Sequence, residues 1–298
     1  MMLNTLNLAP FASNLSIMRF LAAACLLIFS FSVHAEQLSI FVSVPPLQYL
    51  AAQVGGKVVT VESIVPPGHN PVNYDPTPKQ LQRFADADIY IRSGIPFEQA
   101  WMPRLKNLNP GMLIVDARRN LPVASDAHQA HMAVEQDLDP HVWTSPLNAI
   151  AISQHILQSL SRAAAQHEEQ FLLNQQQLER HLKELHHSIE ERLRPFAGAT
   201  FLVFHPAWGY FAKTYGLQQV AIEYQGKEPG PKQLVRVIET ARQQKIAFLL
   251  VQQQFSGNTA KIVADELGVE LIRTNPLAYD LSATLQQMAA AIAGGRHE

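Results

Sequence analysis

Short apolar, β-branched runs that each give way to a helical pattern constrain this chain more than any other feature. LSIFVSV (38–44) reads as a buried strand, and LQYLAAQVG (47–55) as a helix closed by Gly55. KVVTVESIV (57–65), DIYIRSG (88–94) and MLIVDA (112–117) read as further strands. Between them lie the helical patterns TPKQLQRFADA (77–87), with Thr77 as N-cap and proline in the first turn, and FEQAWMPRLKN (97–107). The same alternation returns later. TFLVF (200–204), LQQVAIE (217–223), IAFLLVQ (246–252) and VELIRT (269–274) are strands, separated and followed by helical stretches. Repeated β-to-α steps imply parallel sheets covered by helices, because parallel strands need a crossover between them.

The two sets are joined by helix. SPLNAIAISQHILQSLSRAAA (145–165) opens on Ser-Pro, a cap followed by a first-turn proline. Then HEEQFLLNQQQLERHLKELHHSIEERLRPF (167–196) carries Phe171, Leu178, Leu182, Leu185, Ile189 and Leu193 on one helical stripe. Its other faces are charged, Gln-rich and His-rich, so His181, His186 and His187 read as solvated helix-face residues. The expected fold is α/β: two Rossmann-like lobes with parallel sheets, joined by one long rigid helix. The expected boundaries are 36–165 for the first lobe, 166–196 for the linking helix and 197–298 for the second.

Residues 1–35 stand apart. Arg19 precedes an apolar run from Phe20 to Val33, and small residues at Val33 and Ala35 suggest cleavage before Glu36. This reads as a secretory signal and places the mature chain in the periplasm. Cys25, the only cysteine, falls inside that run, so the mature chain has no thiolate for a disulfide or a metal site. A net charge of −2 gives no reason to expect nucleic acid. Twelve histidines draw attention instead, since neutral imidazole is a common metal ligand.

In parallel sheets, ligands collect beyond the carboxyl ends of the strands. His69, in VPPGHNPVNYDPTP, follows the second strand, and His141, in DLDPHVWTSP, the fourth. His205, in FLVFHPAWGYF, follows the first strand of the second lobe. Glu223 and Glu228 follow the next strand, and Asp280, in NPLAYD, follows the last. If the lobes face each other, these residues line one cleft. Imidazoles and a carboxylate converging there would suit a divalent transition metal held by nitrogen and oxygen. Each also has an ordinary role: Asp280, for example, fits the N-cap of the helix from Leu281.

DPHVW followed by Ser-Pro, FHPAWGYFAKTYGL, YDPTPKQL and GKEPGPKQL together resemble the zinc/manganese class of ABC-transporter solute-binding proteins. The likeness covers essentially all of the mature chain. It implies a monomer that is not an enzyme, that holds one metal between two lobes and that delivers it to a membrane permease. It also implies that His141, His205 and Asp280 are ligands, and histidine at 205 favours Zn2+ over Mn2+. One departure stands out. Where the family usually carries its first histidine, this chain has Val72. His69, three residues earlier, is the expected substitute, with Glu223 or a water as the other ways to complete the site. His128 and His131, before DPH, could gather metal or have no role. A periplasmic zinc hydrolase is the rival class, with Glu223 or Glu228 as base, although HExxH and GxSxG are both absent. An adhesin-type relative is a third.

Overall fold

All eight described strands pair in parallel, four to a sheet, with the same order in both sheets. A computed structural model describes residues 37–122, 139–223, 229–244, 246, 248–255 and 257–294. The signal expected at 1–35, with Cys25, lies outside the described residues, as do His128, His131 and Glu228.

The first sheet contains β1 (Leu38–Val42), β2 (Val59–Ser63), β3 (Ile89–Arg92) and β4 (Leu113–Asp116), ordered β2-β1-β3-β4. Helices α1 (Pro45–Gly55), α2 (Pro78–Ala85) and α3 (Pro96–Leu108) form the crossovers. The second sheet contains β5 (Thr200–Val203), β6 (Gln218–Ala221), β7 (Phe248–Gln252) and β8 (Glu270–Thr274), ordered β6-β5-β7-β8. Its helices are α6 (Gly209–Thr214), α7 (Pro231–Gln243), α8 (Asn258–Leu267) and, after the last strand, α9 (Leu281–Gly294). Between the sheets run α4 (Pro146–Ala163) and the linking helix α5 (Glu168–Leu193). The shared strand order means that each lobe has its first strand in the interior and changes winding direction beside it. That is the kind of position where a parallel sheet opens a crevice.

Local signals explain most boundaries. Thr77 and Gln80 form a reciprocal capping box at the start of α2. The helix of 26 residues in α5 is about 39 Å long at 1.5 Å per residue, and it gives way at Arg194 to a single 3-10 turn containing Pro195. Its stripe is buried from Phe171 to Leu193, and the helix packs against α1, α4 and α9. Ser145 departs from expectation. It occupies the N-cap position of α4 but makes no side-chain cap bond. Its hydroxyl instead accepts a hydrogen bond from Thr214 Oγ1 of α6 at 2.9 Å, so a residue expected to cap the start of a helix ties the two lobes together.

One apolar core crosses from lobe to lobe. Val142 and Trp143 join Trp208, Phe211, Leu277 and Leu281 in the same buried cluster. A second cluster, including Leu202, Ile222, Leu249 and Val263, lies within the second lobe. Among the described residues, no helix is long and apolar enough to cross a membrane.

The proline-rich loop after β2 is fixed along its length. Pro66-Pro67-Gly68-His69 forms a turn closed by a hydrogen bond from the His69 N–H to the Pro66 carbonyl at 3.2 Å. Gly68 takes φ +83°, the left-handed value that the third position of a type II turn needs. Farther along, the Phe97 N–H donates to the Pro71 carbonyl at 3.2 Å. Trp101 Nε1 donates to Asp75 at 3.3 Å, and the Tyr74 hydroxyl to Gln80 at 2.5 Å. The start of α3, where Phe97 sits, is itself anchored by buried Glu98. That carboxylate accepts from the N–H groups of Ser93 at 3.0 Å and Gly94 at 2.8 Å, and from Arg92 Nε at 3.1 Å.

Candidate metal centre

His205 is carried just past the end of β5, where Phe204 still bonds to Leu250 of the neighbouring strand. Gln252, at the buried end of β7, grips its backbone from both sides. The His205 N–H donates to Gln252 Oε1 at 3.2 Å, and Gln252 Nε2 donates to the His205 carbonyl at 2.6 Å. The ring stacks on Phe255, with centroids 5.4 Å apart. On its inner side, Nδ1 lies 3.0 Å from Oε1 of Glu223, which follows β6 and is buried.

His141 reaches the same place from the first lobe. It opens a short 3-10 turn (Val142–Thr144) ahead of α4. Asp139 Oδ1 accepts both its backbone N–H at 2.9 Å and a bond from its Nδ1 at 2.7 Å. Trp143, packed edge-on to the imidazole, donates Nε1 to the Pro276 carbonyl at 2.7 Å. This ties the turn to the loop that leads to Asp280.

The two imidazoles meet. His141 Nε2 and His205 Nε2 are 3.4 Å apart, and both side chains are mostly buried, at 12% and 19% exposure. A carboxylate accepts and does not donate, so each Nδ1 carries the ring proton. In the neutral ring, each Nε2 is then a bare lone pair. Two lone pairs facing one another suit a shared cation between them. Zinc–nitrogen bonds of about 2.0–2.1 Å at a tetrahedral angle put two nitrogens about 3.3–3.4 Å apart, which matches the separation seen here.

The other expected ligands are held elsewhere. The Asp280 carboxylate accepts from the Ala283 N–H at 2.9 Å, capping α9, and the residue is exposed. His69 is exposed as well. Its Nδ1 lies 3.3 Å from the Pro67 carbonyl, and its ring meets Tyr74 edge-on. Val72, at the family's usual histidine position, is 46% exposed. Among the described residues, no group of three or more His, Cys, Asp or Glu side chains is arranged to hold a metal. The structure therefore brings together His141 and His205 and does not bring Asp280 or His69 to them. Asp139 and Gln252 were missed in the sequence. Asp139 had a usable signal, since an Asp two residues before a histidine can turn back on it. Gln252 had none beyond its place at a strand end.

The family described as "Zinc-uptake complex component A periplasmic" matches residues 40–293. The chain belongs to this family. Within that setting, it is 29% identical over 252 residues to the zinc-binding lipoprotein AdcA of Streptococcus pneumoniae (strain ATCC BAA-255 / R6). That match takes in 81% of this chain but 50% of the relative, so the chain spans about half the length of AdcA. The iron-binding protein YfeA of Yersinia pestis is 26% identical over 245 residues, 79% of this chain and 76% of that protein. A crystal structure of ZnuA superposes with a TM-score of 0.80 at 31% identity, covering 87% of this chain and 99% of that one. A 138-173 deletion mutant of ZnuA with zinc bound gives 0.81 at 32% identity, covering 87% and 98%.

Proposed function

We propose that this chain is the periplasmic metal-binding component of an ABC importer, capturing Zn2+ between its lobes and passing it to the membrane permease. The observation that carries this reading is the 3.4 Å separation of His141 Nε2 and His205 Nε2, one from each lobe. Two nitrogen donors held at a zinc-like separation favour zinc over manganese, which prefers oxygen. Family membership supports the reading. The relatives' names include both zinc and iron, so the choice of metal rests on this chain's own donors.

In this reading, Asp280 supplies a carboxylate from the loop that Trp143 ties to the His141 turn, and His69 or a water takes the fourth position. Neither side chain stands at the pair, so loop movement around the ion completes the site. Because one imidazole comes from each lobe, a small separation of the lobes breaks the donor set and frees the ion. A rigid helical link suits small shifts of this kind better than wide hinge closure.

Zinc titration against a competing chelator tests the proposal. His141→Ala and His205→Ala should each weaken binding on the order of a hundredfold or more, since each removes one of few ligands. Affinity within twofold of the parent in both variants would overturn it. Competition with manganese should leave zinc bound.

A further inference from the structure

We propose that Glu223 is a positioning residue for the bound ion: its carboxylate holds the Nδ1 proton of His205, turns the Nε2 lone pair toward the cation, and offsets the cation's charge from behind the imidazole. This rests on the zinc reading above and assigns a role to a residue outside the expected ligand set.

The argument starts from burial. The Glu223 side chain is 2% exposed. One oxygen, Oε1, meets His205 Nδ1 at 3.0 Å. The other, Oε2, is buried with no hydrogen-bond partner among the described residues. The backbone offers no slack, because the Glu223 N–H donates to the Phe204 carbonyl at 2.9 Å, beside His205 itself. A buried carboxylate with an unpaired oxygen is costly, and folding alone gives no reason to keep it. The cost is offset when a divalent cation sits on the far side of the imidazole.

Asp139 differs. It takes the His141 ring and backbone N–H on the same oxygen within one turn, so it also shapes its own loop. Glu223 approaches from a separate strand and meets His205 only through the ring. Carboxylates that hold the outer nitrogen of a ligating histidine fix its tautomer, and their loss typically weakens metal binding about 10–100-fold. With Val72 in place of a ligating side chain, neutral imidazoles and the single Asp280 carboxylate of the reading above still leave one positive charge of the ion uncompensated. Glu223 lies where it can offset that charge without entering the coordination shell.

Such a role separates two quantities that a structural role would move together. Glu223→Leu should weaken zinc binding about 10–100-fold, yet leave the metal-free melting temperature unchanged or higher. In the metal-free protein near pH 8, long-range proton–nitrogen NMR should show His205 protonated at Nδ1 in the parent. In Glu223→Leu it should be a mixture of both tautomers. Glu223→Gln, of the same shape, should fall between and keeps the test open if the leucine variant does not fold. The proposal is overturned by an unchanged His205 tautomer, by zinc affinity within twofold of the parent, or by a melting temperature that falls with affinity. His205→Ala, run alongside, separates the two ideas. If it loses zinc while Glu223→Leu keeps it, only the positioning role fails. If it too keeps zinc, the reading beneath it fails.

Discussion

The indole nitrogen of Trp143 donates to the carbonyl of Pro276 at 2.7 Å, joining residues 133 apart in the chain. The indole is fully buried, and Pro276 is buried with it. The bond fastens the turn that presents His141 to the loop that ends at Asp280. Trp143→Phe keeps most of the apolar bulk but leaves the carbonyl without its donor. Removing one partner of a buried hydrogen bond costs about 1–3 kcal/mol, so chemical denaturation should show a loss of that size. Zinc affinity should fall with it, as the two loops lose their link. Unchanged stability would mean that the bond is dispensable.

The linking helix gives a second test. Leu182 is fully buried in the α5 stripe, whereas Leu173 on the same helix is 55% exposed. Leu182→Ala should cost about 2–5 kcal/mol, from lost transfer energy and the cavity left behind. Leu173→Ala should stay within about 0.5 kcal/mol of the parent. Equal effects in urea denaturation would contradict the assigned faces.

His155, in the buried face of α4, makes stability depend on pH. Burial lowers its pKa, and the Arg119 charge lowers it further, while a bond with the Ala117 backbone and the Asp116 charge act in the opposite direction. The folded state therefore prefers the neutral ring. The unfolded chain takes up the proton at the ordinary imidazole value of about 6.5. As pH falls through that value, the unfolded state binds more protons, and stability is lost until the folded ring protonates as well. The metal-free melting temperature should drop on going from pH 7 to pH 5, and His155→Gln should flatten part of that slope. A slope identical to the parent's would remove His155 as a contributor.

Much of this was readable from residues alone, for definite reasons. Short apolar, β-branched runs placed every described strand, and a 3.6-residue period placed the α5 stripe, because burial writes its pattern into the chain. The strand-end rule pointed to His141 and His205, whose rings meet in the structure, because a parallel sheet leaves little freedom in where its loops emerge. What the sequence could not carry was contact between elements distant in the chain. Ser145 looked like a cap and is instead a partner for Thr214. Glu223 looked like a spare ligand, and its contact with the His205 ring could be seen only in three dimensions. Asp280 satisfied its ordinary reading as a helix cap. His69 followed the pattern of a proline turn, which fixes the backbone but says nothing of where the imidazole reaches.

Imidazole must be neutral to bind a metal, and a proton competes for the same lone pair, so zinc affinity should fall as the solution is made acidic. Chelator competition at fixed ionic strength measures it. Affinity retained at pH 5 would point to carboxylates as the principal donors.

Val72 offers the most direct test of how the site is completed. The backbone around it is held without help from its side chain. The Val72 N–H donates to Asn70 Oδ1 at 2.9 Å, and Pro71 accepts from Phe97 at 3.2 Å. The side chain is substantially exposed, so a histidine there need not displace a packed neighbour. Val72→His restores the imidazole usual in the family at this position, and a third nitrogen donor should tighten zinc by tenfold or more, about 1.4 kcal/mol. Adding His69→Ala to that variant should change nothing further, whereas His69→Ala in the parent should weaken binding if His69 fills the fourth position. If Val72→His binds no tighter and His69→Ala no weaker, the proline-rich loop supplies no ligand and water completes the coordination.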